Sequence, residues 1–146
     1  MEVKIFEDYI ATVDSKGRVI IPKDFMWEDG EEVAFFLTGK SYYNVYPLVK
    51  IQEFIDALEE KKKSCSIEER REIKNMITQT YYSILDTYVL DSQRRLLLPK
   101  QIREDIPQGK VVMQGINTHI SICPTNESYQ ELCAQYLPQN VGIKKL

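Results

Sequence analysis

The sequence lacks a long hydrophobic run, since no stretch of about 18 consecutive apolar residues occurs in it. This absence argues against a transmembrane helix. The opening segment MEVKIFED is too acidic, and too short of apolar residues, for a signal peptide. We therefore expect a cytoplasmic protein with no membrane partner.

Cysteine and histidine are scarce, and the motifs of common enzymes are missing. His119 is the only histidine, and Cys65, Cys123 and Cys133 form no CxxC pair, so we expect reduced, partly buried thiols and no metal site. The sequence also has no glycine-rich phosphate loop and no nucleophile elbow. We expect no enzyme, no cofactor and no small-molecule substrate, and we interpret His119 as an ordinary strand residue.

An excess of positive charge, which favours nucleic-acid binding, is missing as well. The chain has 19 Lys and Arg against 22 Asp and Glu, a net charge of -3. However, residues 14–23 and 91–103 are locally positive, whereas acidic residues concentrate in 28–32 and 53–72. The pattern is compatible with a basic face on an acidic chain.

The sequence does contain an internal repeat. The segment DSKGRVIIPK at 14–23 aligns with DSQRRLLLPK at 91–100, an offset of 91 - 14 = 77 residues. Farther on, GKSYYNVYP at 39–47 matches GINTHISICP at 115–124 with a one-residue insertion, and a helical pattern follows each. We call the two repeats the first and the second copy, and the order of elements is duplicated in them.

Each copy predicts a strand, a turn, an apolar strand that ends at proline, a short helix or turn, and a hairpin centred on glycine. In the first copy, Gly17 can supply a positive φ to the turn at low cost. The hairpin turns are expected at 39–41 and 115–117. The predicted strands are 9–13, 19–21, 33–38, 42–46, 87–90, 96–98, 110–114 and 119–122.

Helical patterns lie between the copies and after the second one. Apolar residues recur at helical spacing from Ile51 to Leu58, and Ser66 to Glu69 form a capping-box signature ahead of a second apolar stripe. A last stripe begins at Tyr129. The chain is thus divided into a first β unit at 7–49, a linking helical hairpin at 50–83, a second β unit at 84–126, and a C-terminal helix and tail at 127–146.

The turn DSKGR followed by VIIP resembles the signature strand-turn-strand of SpoVT/AbrB domains. Two such units, with helices between and after them, resemble the MraZ family over nearly the whole chain. The resemblance implies an α+β fold in which two tandem swapped-hairpin units pair into one barrel-like body. It also implies a nucleoid-associated transcriptional regulator that binds double-stranded DNA at repeated boxes upstream of a division and cell-wall gene cluster, and that assembles into a ring-shaped homo-oligomer.

Three residues depart from the family pattern. Arg94 stands where the turn of the second copy would usually have glycine, so that turn must bend without glycine or change shape. Asp8 stands at a place commonly held by glycine, and Cys123 at that of a tryptophan. The chain is therefore expected to be a divergent member.

The two turns carry the candidate DNA-binding residues. Arg18 and Arg95 are the leading candidates, because a guanidinium can bond phosphate or guanine through two nitrogens. Asp14, Gly17 and Asp91 are interpreted as residues that set the turns. Because it keeps its glycine, the first copy is expected to dominate binding. The predicted DNA contacts are Lys16, Arg18, Lys23, Gln93, Arg94, Arg95 and Lys100.

These assignments have structural alternatives. Each arginine can simply pair with the aspartate of its own turn, and Lys23 and Lys100 can be solvated surface residues. The tyrosines at 42, 43 and 46 fit strand packing or subunit contact better than base stacking, and the lysine run at 61–63 fits a helix end.

The function has an alternative as well. A protein of the same fold can be an oligomeric interaction module, antitoxin-like or a scaffold, without strong DNA binding. Salt-dependent retention on DNA distinguishes the two, because only a DNA-binding regulator loses affinity steeply as salt rises.

Overall fold

The computed structural model describes residues 8–25, 27–38, 41–104, 106, 109–116 and 118–136. These residues form an α+β protein. The strands are β1 Tyr9–Thr12, β2 Arg18–Ile20, β3 Glu32–Thr38, β4 Tyr42–Pro47, β5 Ile84–Val89, β6 Arg95–Leu97, β7 Lys110–Ile116 and β8 His119–Cys123. The helices are α1 Leu48–Lys62, α2 Ile67–Tyr82, α3 Lys100–Glu104 and α4 Asn126–Tyr136, with a 3-10 turn at Lys23–Phe25.

Six strands form one antiparallel sheet in the order β1-β7-β8-β4-β3-β5, and β2 pairs with β6 in a separate two-stranded ribbon. The two copies contribute strands to each other: β1 pairs with β7 of the second copy, and β5 pairs with β3 of the first. The copies therefore build one body together. The end strands β1 and β5 do not pair in the part that the structure describes, so the sheet is open there, and the swapped-hairpin barrel stays a prediction.

Two of the pairings join equivalent residues of the two copies. Val19 lies opposite Leu96 in the ribbon, and Asn44 lies opposite Ser121 in the β4–β8 pair, with 96 - 19 = 121 - 44 = 77. The Ser121 hydroxyl donates to the side-chain oxygen of Asn44 at 2.6 Å in the buried centre of the sheet. An approximate two-fold axis that relates the copies therefore passes through both pairings.

The main core lies between one face of the six-stranded sheet and the ribbon. Because side chains alternate along a strand, Val33 and Phe35 of β3 join this core, whereas Ala34 and Phe36 face the helices α1 and α2. From the ribbon side the core receives Val19, Ile21, Leu96 and Leu98. This burial keeps one face of the ribbon inside and leaves the other face outside.

The tyrosine strand β4 is buried from both sides. Tyr42 and Tyr43 are 1% and 5% exposed, and Tyr46 stacks on His119 with ring centroids 4.6 Å apart. The core covers one face of β4, and α1 and α4 cover the other. Of the two alternatives for these tyrosines, the structure agrees with strand packing, because Tyr42 and Tyr43 have almost no exposed surface for a subunit contact.

Asp8 and Cys123, two of the three departures from the family pattern, take part in packing. The Asp8 carboxylate accepts hydrogen bonds from the Tyr129 hydroxyl and, at 3.0 Å, from Gln114, and so connects the start of β1 to α4 and β7. Cys123 is buried beside Tyr42 and Leu132. Burial raises the pKa of the Cys123 thiol to about 12.

The helical hairpin begins its second helix as the sequence predicts. The Ser66 hydroxyl accepts from the backbone N–H of Glu69 at 3.2 Å, and the Glu69 carboxylate accepts from the backbone N–H of Ser66 at 3.2 Å. At the end of α1, Lys62 and Lys63 pair with Glu59 and Glu60, as a solvated helix end does. No helix in the described ranges is long and apolar enough to cross a membrane.

Parts of the predicted elements fall outside the described residues. These are Glu7 and Met26 of the first β unit, Asp105, Pro107 and Gln108 of the second, Gly39, Lys40 and Asn117 of the hairpin turns, and 137–146 of the last segment.

Candidate nucleic-acid interface

The first turn, residues 14–17, is organised by Asp14. Its Oδ1 accepts from the backbone N–H of Lys16 at 2.9 Å and of Arg18 at 2.8 Å, and its Oδ2 accepts from Arg18 Nε at 2.8 Å. These bonds, led by the amide of Arg18, hold the pKa of Asp14 below its usual value. Gly17, at φ +83°, donates to the carbonyl of Asp14 at 3.0 Å and closes the turn.

The second turn, residues 91–94, repeats this geometry. Asp91 Oδ1 accepts from the backbone N–H of Gln93 at 2.9 Å and of Arg95 at 2.8 Å, and Oδ2 accepts from Arg95 Nε at 2.7 Å. Arg94 takes the place of Gly17 and adopts a φ of +61°, which is unusual for a residue with a β-carbon. The turn thus keeps its shape without glycine.

The side chain of Arg94 points into the protein. Its guanidinium donates to the backbone carbonyls of Ile21 at 2.8 Å, Trp27 at 2.6 Å and Pro22 at 3.2 Å, and it lies 3.8 Å from the Asp29 carboxylate. The side chain is only 14% exposed. The predicted DNA contact at Arg94 therefore does not agree with its position, because this arginine holds the backbone of the first copy.

The ribbon places the two turns at its opposite ends. Val19 and Leu96 point into the core, so the alternation directs Arg18, Ile20, Arg95 and Leu97 to the outward face. Arg18 lies opposite Leu97, and Arg95 lies opposite Ile20. The two arginines are diagonal neighbours on this face, a spacing that long side chains can bridge.

Backbone hydrogen bonds connect each turn to the other copy. The N–H of Leu98 donates to the carbonyl of Gly17 at 2.9 Å, and the N–H of Ile21 donates to the carbonyl of Arg94 at 2.8 Å. The two bonds join equivalent atoms of the two copies. As a result, neither turn can move without disturbing the strand end of the other copy.

Arg18 and Arg95 keep part of their hydrogen-bonding capacity. Each guanidinium bonds its own aspartate through Nε, and the described part of the chain shows no further side-chain bond to either one. The side chains are 25% and 31% exposed. The terminal nitrogens, which make bidentate bonds to phosphate or guanine, are thus left for a ligand. Pairing with the aspartate and binding of an external anion are therefore compatible.

The other predicted contacts lie at the surface. Lys16 and Gln93 occupy equivalent places on the two turns and are both exposed. Lys23 and Lys100, which are also equivalent, are exposed after the prolines that end the ribbon strands, and Lys100 lies 3.9 Å from Glu104. The structure therefore gathers six of the seven predicted contacts around the outward face and ends of the ribbon, and Arg94 is the one that turns away.

No candidate metal site is found among the described residues. They contain no group of three His, Cys, Asp or Glu side chains that could hold a metal ion. Burial lowers the pKa of His119 to about 4, so this residue is a neutral partner of Tyr46 near physiological pH.

Similarity to curated proteins extends over most of the chain. The "Transcriptional regulator MraZ" of Moorella thermoacetica is 33% identical over 132 residues, which cover 88% of this chain and 85% of that protein. The proteins of the same name from Finegoldia magna and Caldanaerobacter subterraneus are 32% identical over 117 residues and 31% identical over 115 residues. These matches cover 79% and 78% of this chain, and 77% and 76% of the two relatives. No protein-family model matches the chain.

Proposed function

The chain belongs to the MraZ family, and from this membership and the geometry of the two turns we propose that it is a sequence-specific, DNA-binding transcriptional regulator. The proposed target is double-stranded DNA with repeated boxes upstream of a division and cell-wall gene cluster. The proposed location is the cytoplasm, in association with the nucleoid. Regulation is favoured over catalysis because the relatives are named transcriptional regulators.

One observation carries the proposal: the ribbon presents Arg18 and Arg95 on its outward face, each oriented by its own aspartate. A two-stranded ribbon fits the DNA major groove, which is about 12 Å wide. A guanidinium held through Nε can direct its terminal nitrogens to guanine or to phosphate. Around this pair, the exposed Lys16, Lys23, Gln93 and Lys100 are proposed to contact the backbone of the DNA.

The first turn is proposed to dominate binding, and the reason is charge. The two turns have the same shape, since Arg94 takes over the conformation of Gly17. Lys16 of the first turn is replaced by the neutral Gln93 in the second, and the charge of Arg94 faces inward beside Asp29. The first turn therefore offers more positive charge to a phosphate backbone.

Two further points belong to this proposal. The chain is proposed to form a ring-shaped homo-oligomer through the open sheet edges at β1 and β5. The copies are proposed to be swapped-hairpin units of a barrel-like body, with segments at 7–49, 50–83, 84–126 and 127–146.

Fluorescence anisotropy on two labelled duplexes tests the function. One duplex carries the DNA just upstream of the gene for this protein, and the other carries the same bases in scrambled order. We expect tighter binding to the upstream duplex and a steep linear fall of the logarithm of affinity with the logarithm of salt concentration. Arg18→Ala should weaken binding by about 1–3 kcal/mol, and more than Arg95→Ala does. Arg71→Ala, on the exposed side of α2, removes the same charge and should change nothing.

Two results would contradict these proposals. A folded wild-type protein that binds neither duplex at low salt contradicts the regulator and favours the oligomeric interaction module. If Arg95→Ala loses as much affinity as Arg18→Ala, or more, at unchanged oligomer mass and thermal midpoint, the dominant turn is not the first.

A further inference from the structure

An arginine outside the repeated motif lies against the first turn. Arg103 belongs to α3 of the second copy and is exposed, and its side chain crosses directly over Gly17. A β-carbon added to Gly17 would lie 2.2 Å from Arg103 Cδ and 3.2 Å from both Cγ and Nε. Gly17 is buried although it belongs to a surface turn. Arg103 can occupy this position because glycine has no β-carbon at residue 17.

This contact puts a third cation at the first turn. Arg103 lines a surface cleft of about 250 Å³ together with Val13, Asp14, Ser15 and Gly17. Among the described residues no carboxylate lies within ion-pair distance of Arg103, and Asp14 is already bound by Arg18. Arg103 is itself exposed, so its charge is open to solvent beside the turn that carries Lys16 and Arg18.

In sequence, the first copy has no arginine equivalent to Arg103 that could serve the second turn. There the side chain of Arg94 occupies the place above the turn and turns inward to three carbonyls. The residue equivalent to Arg103 is the uncharged Met26, since 103 - 77 = 26. Lys16, Arg18 and Arg103 against Asp14 give the first turn a charge of 3 - 1 = +2. Around the second turn, Arg95 is balanced by Asp91, and Arg94 lies beside Asp29.

We propose that Arg103 is a DNA-contacting residue which the second copy supplies to the turn of the first, so that the dominant DNA-binding turn is built from both copies. Its ligand is a backbone phosphate, because Arg103 approaches the turn from α3 and not from the outward face of the ribbon, where Arg18 lies. The inference rests on the proposed function, and it identifies a contact that the motif alone does not mark.

Arg103→Gln is the decisive variant, because glutamine keeps part of the stem over Gly17 and removes the charge. In the anisotropy assay we expect about tenfold weaker binding to both duplexes alike and a salt slope smaller by about one, as for the loss of one phosphate contact. Arg103→Lys should retain most of the affinity, because a lysine supplies the same charge to a phosphate. Arg71→Gln is the matched control and should leave affinity and slope unchanged.

The outcomes separate this inference from the proposed function. If Arg103→Gln binds DNA with the affinity and salt slope of the wild type, the inference is wrong. A loss of DNA affinity in Arg18→Ala under the same conditions would still support the proposed function. An Arg103→Gln protein with weaker binding, an unchanged salt slope and a lower thermal midpoint also overturns it, because Arg103 then acts through packing on Gly17. A wild-type protein that binds no DNA at any salt concentration contradicts the proposed function itself.

Discussion

Arg94 adopts a positive φ at which glycine would be less strained. The hydrogen bonds of its side chain explain why an arginine is stable at this position. A left-handed φ costs a residue with a β-carbon about 1–2 kcal/mol. Against this cost, each hydrogen bond from a charged donor contributes roughly 1.5–3 kcal/mol, and Arg94 donates to the carbonyls of Ile21, Pro22 and Trp27. The balance favours arginine, which fastens the second turn to the first copy.

Two substitutions at this position separate the side-chain bonds from the backbone strain. Arg94→Ala should lower the free energy of unfolding by about 2–4 kcal/mol, because it loses the bonds and keeps the strain. Arg94→Gly should lower it by about 1 kcal/mol less, since glycine adopts a positive φ freely. Urea unfolding followed by circular dichroism measures both. An Arg94→Ala protein as stable as the wild type would mean that the three bonds contribute nothing to stability.

The two aspartate–arginine pairs could be predicted from the sequence, because each spans four positions within one turn. The hydrogen-bond partners of Arg94 could not be predicted in this way. Arg94 and its acceptor Ile21 are 73 positions apart, and only the pairing of β2 with β6 brings them together. The position of Arg103 over Gly17 was hidden for the same reason, because a local pattern carries no information about which strand end a distant helix will meet.

The helix α2 begins at a capping box that satisfies two backbone N–H groups at once. Ser66→Ala removes the hydroxyl that accepts from Glu69 and should lower the free energy of unfolding by about 1 kcal/mol. Ser64→Ala, in the same connection but outside the box, should have a clearly smaller effect. Thermal and urea unfolding of both variants measure the difference. Equal effects of the two substitutions would show that the box adds nothing to stability.

The positions of the strands and helices followed from β-branched runs, turn residues and apolar spacing, and they agree with the structure to within a few residues. The order of the strands did not follow. Partners such as β1 and β7 lie about a hundred positions apart, and nothing in either strand specifies the other. In β4 the alternation of buried and exposed residues is absent, because helices cover the face that a solvated sheet would leave open.

In the part of the chain that the structure describes, the six-stranded sheet ends at two edge strands, β1 and β5, which occupy equivalent positions in the two copies. Both carry exposed apolar side chains, with Ile10 67% and Val89 57% exposed. Open apolar edges are templates for pairing with another chain. If β1 of one chain pairs with β5 of the next, the contact is head-to-tail, and such contacts close into a ring when the rotation between subunits divides a full turn.

This geometry predicts that the protein at micromolar concentration scatters light with the mass of several chains. Ile10→Lys or Val89→Lys should reduce that mass, because a charge on an edge strand opposes pairing. Ile67→Lys, at an even more exposed apolar position on α2, is the control and should leave the mass unchanged. A wild-type protein that is monomeric under these conditions contradicts the ring and removes the avidity that repeated DNA boxes would require.

The pairing of β1 with β7 also determines when in its synthesis the protein can fold. Thr12 of β1 pairs with Lys110 of β7. The ribosome adds Lys110 110 - 12 = 98 residues after Thr12, which takes roughly 5–20 s at ordinary elongation rates. During that interval β1 and β2 of the first copy have no partner strands, and the apolar residues that the ribbon will cover stay accessible to chaperones. The first copy therefore does not act as a finished domain on the ribosome, and a chain that is cut short before the second copy becomes a substrate for proteolysis.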